Sequence, residues 1–286
     1  THDELIAARR QKLETLRAQG VSPYGGKFPK RQSIHGLIEH YREGEAVTTA
    51  GRLSARRGHG GLTFADLRDA SGKIQLCLRQ ERLGAQYQLF DNLDLGDCLG
   101  VEGRLFQTKT GEITVEVERF TVLAKSLRPM PEKWHGLRDV EIRYRQRYLD
   151  LIANESVRQV FEQRARLLES LRSTLQSHGY LEVETPMMHP IPGGAAGEPF
   201  VTRHKALGLP LYLRLAPELY LKRLLVGGFE KVYELNRSFR NEGLSTVHNP
   251  EFTMLEAYCA YEDSTYMMQF VKELIKIIFE LHSGNI

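Results

Sequence analysis

The sequence predicts an α+β protein of more than one domain, in which a small β-barrel is followed by an antiparallel sheet flanked by helices. Two patterns carry this prediction. Between residues 46 and 125, short runs that alternate apolar and polar residues are separated by glycine-containing turns, as expected for half-buried strands. From residue 151 onward, amphipathic helices accompany short strands, and two of these strands, over 232–239 and 251–261, are joined by a polar loop as in an antiparallel hairpin. A chain of 286 residues is long enough to build two hydrophobic cores.

Composition and charge exclude some classes of protein. No run of residues is long and apolar enough to cross a bilayer, and the first residues lack the apolar core of a signal peptide. We therefore expect a cytoplasmic protein without a membrane partner. The three cysteines form neither a zinc-binding pattern nor a disulfide framework. The net charge of +3 is too small to indicate nucleic-acid binding by itself.

The barrel prediction rests on five alternating runs and one interruption. The runs are Val47–Leu53, Leu62–Leu67, Ile74–Leu78, Cys98–Phe106 and Ile113–Leu123. A helix over Leu83–Leu93 is predicted between the third run and the fourth. This is the layout of the OB-fold, a barrel that binds single-stranded nucleic acid by stacking bases on aromatic side chains. Other small barrels share the alternation.

The remaining segments complete the domain prediction. Residues 1–45 are predicted as an N-terminal helical extension, residues 46–125 as the barrel, residues 126–150 as a linker and residues 151–286 as the second domain. In the second domain we expect helices over 155–177, over 217–226 and from 262 onward. We expect strands over 180–186, 211–215, 232–239 and 251–261.

The segment Val232–Tyr258 carries the residues most suited to chemistry. Arg240 and Glu242 are two positions apart, so on a strand they would point to the same face. An arginine can grip a phosphate or a carboxylate with two parallel hydrogen bonds, and Phe252 offers a flat ring on which a base can stack. The pattern indicates a hairpin that binds an anionic nucleotide, and a surface hairpin with an internal ion pair fits the spacing as well.

Longer strings of residues are similar to those of a known family. The helix at 155–177, with the strand that ends at Pro186, resembles motif 1 of the class II aminoacyl-tRNA synthetases, and the stretch around Arg240 resembles motif 2. The fuller strings resemble the lysyl-tRNA synthetase family. They are Pro192–Ala195, Arg214–Lys222, Arg240–Gly243 with His248–Phe252, and, at the domain junction, His135–Leu137 with Arg143–Leu151.

The resemblance implies an activity and residue roles. The family activates L-lysine with ATP and Mg²⁺, transfers it to tRNA(Lys) and forms homodimers. Arg240 would be the catalytic residue, because it would hold both the α-phosphate of ATP and the lysine carboxylate. The other implied ATP contacts are Glu242, His248, Asn249 and Phe252. The other implied lysine contacts are Gly194, Glu218, Glu256 and Tyr258, with Tyr258 near the side-chain ammonium.

In the barrel, the resemblance implies an anticodon-reading surface. Phe64 would stack on a base, Gln75 and Glu112 would read the anticodon with it, and Arg52 and Arg56 would contact backbone phosphates. From the pattern alone, Phe64 could equally be a core residue and Gln75 a solvated strand position.

Two departures from the family pattern add expectations. Glu198 stands where the family usually has a basic or polar residue, next to the loop implied to bind lysine. The resemblance also implies that motif 3, the metal-binding acids and the acid that reads the lysine side chain follow Ile286. We therefore expect no metal ligands within these residues, a partial catalytic domain and no catalytic activity of this chain alone.

Three other functions fit parts of the pattern. An aspartyl- or asparaginyl-type class II synthetase shares both domains, but its pocket would need a basic residue in place of Glu218. A paralogue that lysylates a translation factor lacks the barrel, so residues 46–125 argue against it. A non-catalytic tRNA-binding fragment stays open for this chain.

Overall fold

In the computed structural model, which describes residues 2–130, 137–245 and 247–282, the chain divides into two units, residues 1–154 and 155–286. Each unit has a hydrophobic core of its own. His135 and Gly136 of the predicted junction string lie outside the described residues. Within the described residues, no helix combines the length and the apolar character that a membrane span requires.

The sheet of the first unit is a closed barrel. Its strands are β1 (Ala46–His59), β2 (Leu62–Arg68), β3 (Lys73–Arg79), β4 (Cys98–Gln107) and β5 (Ile113–Ala124). The order around the barrel is β1-β2-β3-β5-β4, and β3 pairs with β5 in parallel while the other neighbours are antiparallel. Closure leaves no strand edge open to another chain. The predicted OB-fold is confirmed.

Helices surround this barrel and the segment after it. They are α1 (His2–Ala18), α2 (Ile34–Glu39), α3 (Gln80–Leu83), α4 (Ala85–Phe90), α5 (Val140–Arg145) and α6 (Arg147–Ala153). The prediction of one helix over Leu83–Leu93 is wrong, because Gly84 takes φ +53° between α3 and α4. Only a glycine adopts such a conformation without strain, so the helical hydrogen-bond pattern is interrupted there. Helix α2 was not predicted.

The second unit contains two small sheets. Its helices are α7 (Glu155–Ser177), α8 (Glu218–Val226) and α9 (Ser264–His282). Its strands are β6 (Leu181–Glu182), β7 (Met188–His189), β8 (Val201–His204), β9 (Leu209–Leu213), β10 (Lys231–Phe239) and β11 (Glu251–Cys259). One sheet has the order β11-β10-β6 and the other β7-β9-β8. The predicted helices are confirmed, whereas β7 and β8 were not predicted because they have only two and four residues.

The two faces of the β10–β11 hairpin differ in character. One face packs on α7 and α9 through a cluster around Tyr233, which includes Leu175, Tyr180 and Phe270. Leu255 of β11 packs against the same cluster. Because alternate residues of a strand point to opposite faces, the residues between these apolar ones lie on the other face. That second face carries the candidate site of this unit.

Candidate functional site

The second face of the β10–β11 hairpin is lined by polar residues in register. Glu234 lies opposite Glu256, and Ser238 lies opposite Phe252. Tyr258 follows Glu256 by two positions and shares its face. Of the residues named from the sequence, Phe252, Glu256 and Tyr258 therefore share one face of this hairpin.

Arg240 lies directly after β10, where its amide donates to the carbonyl of Pro250 at 2.9 Å. Its guanidinium carbon lies 5.2 Å from the centroid of the Phe252 ring, a cation–π contact. Its Nε is buried and has no hydrogen-bond partner among the described residues. A buried donor without an acceptor costs about 1–3 kcal/mol. An anionic group that accepts this hydrogen would remove the cost.

The glycine-rich loop at 192–197 contacts the same surface. A side-chain carbon added at Gly197 would lie 2.9 Å from Glu242 Oε1 and 3.5 Å from Arg240 Cδ. Arg240 and Glu242 lie beyond the end of β10, so the alternation of side chains along a strand does not decide whether they share a face. They are brought together by their common contact with this loop. The amide of Asn241 donates to the carbonyl of Glu198 at 2.8 Å. The backbone of Glu198 thus ties the loop to the hairpin.

The end of the surface near Glu218 and Glu256 is acidic. A side-chain carbon added at Gly194 would lie 3.4 Å from Glu218 Cβ, so the loop also reaches the start of α8. Glu218 pairs with Lys222 at 2.6 Å one helical turn on. The hydroxyl of Tyr258 donates to Glu256 Oε2 at 3.0 Å. These contacts place Gly194 beside Glu218, and Tyr258 beside Glu256.

Electrostatics at this end disfavour further negative charge. Burial raises the pKa of the Glu256 carboxyl, and the negative charge of Glu218 adds to the rise, which the hydrogen bond from Tyr258 opposes in part. Burial also raises the pKa of the Tyr258 hydroxyl, with Glu256 as the next cause. A cation placed here would relieve the unfavourable desolvation of the carboxylate.

A buried ion pair beneath the surface was missed from the sequence. Arg214 Nη1 lies 2.7 Å from Glu234 Oε1, and both side chains are 1% exposed. Thr185 donates to the other oxygen of Glu234 at 2.6 Å. Arg214 begins the segment Arg214–Lys222 that resembles the family, but the resemblance was not used to assign it a function. A charged residue inside an apolar run, as each of these is, was the available signal.

His248 and Asn249 lie in the exposed part of the loop between β10 and β11. A ring nitrogen of His248, Nδ1, shares a hydrogen bond of 2.7 Å with the Ser245 hydroxyl, and the amide of Ser245 donates to the carbonyl of His248. The loop therefore closes on itself. These contacts do not bring His248 to Arg240.

The barrel has its own polar surface. Gln75 is buried, donates to Glu112 Oε2 at 2.9 Å and accepts from the Thr114 hydroxyl at 3.0 Å. Phe64 is half-buried one position away from the core residue Ala65. Alternation places Phe64 on the outer face of β2, since Ala65 points inward. Gln75 is on the same outer face of β3, between the inward residues Ile74 and Leu76.

The structure does not bring Arg56 onto this outer face, and a bulge is the reason. Arg52 lies opposite Arg68, and the register shifts between Leu53 and Ala55. After this shift Arg56 lies opposite the inward residue Ala65, whereas Arg57 lies opposite Phe64. One extra residue in a strand moves the following side chains to the other face.

Contacts agree with this change of face. Arg56 donates to the carbonyl of Phe90 at 3.0 Å, pairs with Asp91 and lies over the Phe90 ring. Arg52 donates to the carbonyl of Gly96 at 2.6 Å. Both predicted phosphate contacts are thus engaged within the barrel unit. Arg57 was not predicted, and its side chain is 64% exposed beside Asp66.

The comparisons with known proteins agree with this arrangement. Residues 139–286 match the family described as tRNA synthetases class II (D, K and N). Residues 47–123 match an OB-fold nucleic acid binding domain. Because the first match spans more than half of the chain, the chain belongs to the class II tRNA synthetases of the D, K and N group.

Among individual proteins, the chain is similar to several lysine–tRNA ligases. A lysine–tRNA ligase of Carboxydothermus hydrogenoformans is 56% identical over 287 aligned positions, which cover 99% of this chain and 59% of the relative. That of Pelotomaculum thermopropionicum is 57% identical over 279 positions, covering 96% of this chain and 55% of the relative. That of Moorella thermoacetica is 56% identical and is covered to 57%. The chain thus spans between 55% and 59% of the length of these relatives.

Proposed function

We propose that the protein activates L-lysine with ATP and transfers the lysyl group to tRNA(Lys). The observation that carries the proposal is the separation of charge along one hairpin face, with Arg240 at one end and Glu256 at the other. A face of this kind suits a substrate that presents an anionic carboxylate or phosphate at one end and an ammonium group at the other. The relatives' activity, lysine–tRNA ligation, requires this combination.

The proposed reaction has two steps. A carboxylate oxygen of lysine attacks the α-phosphorus of ATP, the bond to pyrophosphate breaks, and lysyl-adenylate forms. A terminal hydroxyl of the tRNA then attacks the lysyl carbonyl, and AMP leaves. Arg240 would neutralise the charge that builds on the α-phosphate while holding the lysine carboxylate beside it. A buried guanidinium nitrogen that finds no acceptor in the described part of the chain suits this role.

The remaining nucleotide contacts follow from the hairpin. Phe252 would stack on adenine, and Glu242 would contact its amino group or hold Arg240. His248 and Asn249 would approach the triphosphate and the adenine from the exposed loop. Movement of that loop toward Arg240 is part of this proposal.

The lysine contacts lie at the acidic end. Gly194 and Glu218, which adjoin each other, would bind the α-amino group. Glu256 and Tyr258 would border the side chain, with Tyr258 near its ammonium. An aspartate-type pocket is disfavoured, because the side-chain carboxylate of the substrate would meet two glutamates there.

We assign residues 46–125 as the RNA-binding domain, with residues 1–45 as its helical extension and 126–150 as a linker to the catalytic part from 151 onward. Phe64 would stack on an anticodon base, and Gln75 with Glu112 would form hydrogen bonds to base edges. The hydrogen bonds that fix Gln75 within the sheet pre-organise it for such a role.

Magnesium, dimerisation and location complete the proposal. Among the described residues, no group of three or more His, Cys, Asp or Glu side chains is arranged to hold a metal ion. These residues do not fit a magnesium site, and no step is assigned to one. A homodimer formed through α7 would cover Val160 and Phe161, which are 61% and 48% exposed. The proposed tRNA substrate implies a cytoplasmic location.

The test is amino-acid-dependent ATP–pyrophosphate exchange by the complete gene product, measured with each of the standard amino acids. We expect lysine to support the fastest exchange and tRNA(Lys) to be the preferred acceptor. Exchange that is fastest with aspartate or asparagine would overturn the proposal. The same assay on the 286-residue chain tests the expectation that this chain alone is inactive.

A further inference from the structure

Two glutamates face each other across the β10–β11 hairpin. Glu234 of β10 and Glu256 of β11 are partners in register, so their side chains leave the same face of neighbouring strands. Side chains in such pairs have Cβ atoms about 4.5–5.5 Å apart, and like charges directly opposite each other are destabilising. Each carboxylate therefore needs an opposite charge, a proton or strong hydrogen bonds.

Glu234 obtains all its partners from within the chain. Arg214 Nη1 lies 2.7 Å from its Oε1, Thr185 donates to Oε2 at 2.6 Å, and the Asn236 amide donates to Oε1 at 3.3 Å. Arg214 is fixed in turn by a 2.8 Å hydrogen bond from Nε to the carbonyl of Arg237. Since Arg214 and Glu234 are each 1% exposed, solvent does little to screen this pair.

Glu256 differs from Glu234 in its partners. No Lys, Arg or His among the described residues forms an ion pair with it, and its hydrogen-bond donor is the neutral hydroxyl of Tyr258 at 3.0 Å. The other carboxylate nearby, Glu218, is already paired with Lys222. On this hairpin face, and among the described residues, Glu256 is thus the carboxylate without an ion-pair partner, whereas Glu218 lies on α8, where it is proposed to bind the α-amino group.

We propose that Arg214 and Glu234 are positioning residues for substrate selection, because their mutual neutralisation leaves Glu256 as the one carboxylate on this face available to a ligand ammonium. This inference rests on the proposed function and deepens it. Without Arg214, two unpaired carboxylates would share the site and would hold a proton between them. Without Glu234, the Arg214 cation would pair with Glu256 and compete with the substrate.

The first experiment measures L-lysine affinity by titration calorimetry on the complete gene product. Glu234→Gln should weaken lysine binding at least about tenfold, because the buried Arg214 then seeks Glu256. Arg214→Met should also weaken binding. The double variant Arg214→Met with Glu234→Gln should restore affinity to within about threefold of the parent, because it removes both charges together.

The pH profile supplies a readout that a purely structural pair would not move. The groups facing Glu256 are Tyr258 on its own strand, Glu234 on β10, Glu218 on α8, and Arg214. Loss of Arg214 removes a charge that favours the ionised form of Glu256. In Arg214→Met, the midpoint at which lysine affinity rises with pH should therefore shift upward, and in the double variant it should return toward that of the parent.

The hairpin offers a matched control pair. Arg237 and Glu251 form an ion pair at 3.5 Å on the same two strands, with side chains 49% and 54% exposed. Arg237→Met and Glu251→Gln, singly and together, should leave lysine affinity and its pH profile unchanged. Far-UV circular dichroism of every variant establishes that it is folded.

A second route avoids disturbing the buried pair. Met254→Lys, two residues before Glu256 on the same face, gives Glu256 an internal cation and should weaken lysine binding at least about tenfold. Met254→Gln is its uncharged control. If Glu234→Gln or Arg214→Met does not fold, Met254→Lys still tests whether a cation beside Glu256 weakens lysine binding.

The outcomes distinguish failure of the proposed function from failure of the inference about Arg214 and Glu234. If Glu256→Gln binds lysine as tightly as the parent, the proposed function is wrong at this site. If Glu256→Gln weakens binding but folded Glu234→Gln and Arg214→Met do not, or the double variant stays as weak as either one, the inference is wrong and the proposed function stands. Unchanged binding by Met254→Lys likewise overturns the inference.

Discussion

The guanidinium of Arg240 lies over the ring of Phe252, with 5.2 Å between the guanidinium carbon and the ring centroid. The contact joins the first residue after β10 to the second residue of β11, so the hairpin itself orients the arginine. Because Nε of this arginine is buried without a partner among the described residues, the geometry carries a free-energy cost that a bound acceptor would remove. This relationship leads to the first prediction.

Arg240→Gln should lower the rate of lysine-dependent ATP–pyrophosphate exchange by at least about a hundredfold, because a positioned charge at the reacting phosphate is removed. Its free energy of unfolding should change by less than about 1 kcal/mol, because the lost cation–π contact is offset by relief of the buried donor. Exchange is measured on the complete gene product and stability by urea denaturation. Arg237→Gln, three positions before Arg240 in the sequence, is the control and should keep the exchange rate of the parent.

A large loss of stability in Arg240→Gln would contradict this assignment. It would mean that the arginine is held for structural reasons.

The second prediction concerns Glu256. Its pKa is raised by burial, so the folded protein binds a proton at this carboxyl more tightly than the unfolded chain does. The stabilisation that the Glu256 carboxyl contributes is therefore fully present below its pKa in the unfolded chain. It is lost as the pH rises through its pKa in the folded protein. Glu256→Gln should raise the free energy of unfolding at neutral pH while weakening lysine binding.

The measurement is urea denaturation of parent and variant at several pH values, with Glu251→Gln as an exposed control. The gain in stability should shrink as the pH is lowered through the range of the raised pKa. A gain that persists unchanged into acid would show that ionisation of Glu256 is not its source.

The third prediction separates two neighbouring arginines of the barrel. Arg57→Gln should reduce affinity for the tRNA anticodon stem-loop and lower the magnitude of its salt dependence by about one counterion, with little effect on stability. Arg56→Gln should lower the free energy of unfolding by about 1–3 kcal/mol, because it removes bonds to Phe90 and Asp91. Fluorescence anisotropy over a salt series and thermal unfolding measure the two effects. The reverse pattern would contradict the outward direction assigned to Arg57.

The fourth prediction tests base stacking at Phe64. Phe64→Leu keeps an apolar side chain but removes the aromatic face, so RNA affinity should fall by about 1–3 kcal/mol. Thermal stability should change little, because Phe64 is only half-buried on the outer face. The measurement is the affinity of each protein variant for two RNA stem-loops, one with the tRNA(Lys) anticodon and one with a changed anticodon. Phe120→Leu, inside the barrel core, should show the opposite effect, with lost stability and retained affinity.

The sequence by itself determined the five barrel strands, the long helices of the second unit and the fold class. The alternating runs predicted every barrel strand, because burial on one face imposes a two-residue period whatever the partner strand is. The apolar period of 155–177 likewise predicted α7, which spans Glu155–Ser177. The residue strings around Gly194 and Arg240 indicated the family, which the matches to residues 139–286 and 47–123 show.

Tertiary structure alone decided which side chains share a surface. The bulge between Leu53 and Ala55 turns Arg57 outward and Arg56 inward, and a bulge depends on how two strands pair, which no local pattern records. The Arg214–Glu234 pair joins residues 20 positions apart, and each buried charge is compensated by the other. Such an interaction exists only once the sheet and the segments packed on it have come together, so no periodicity in the sequence could reveal it.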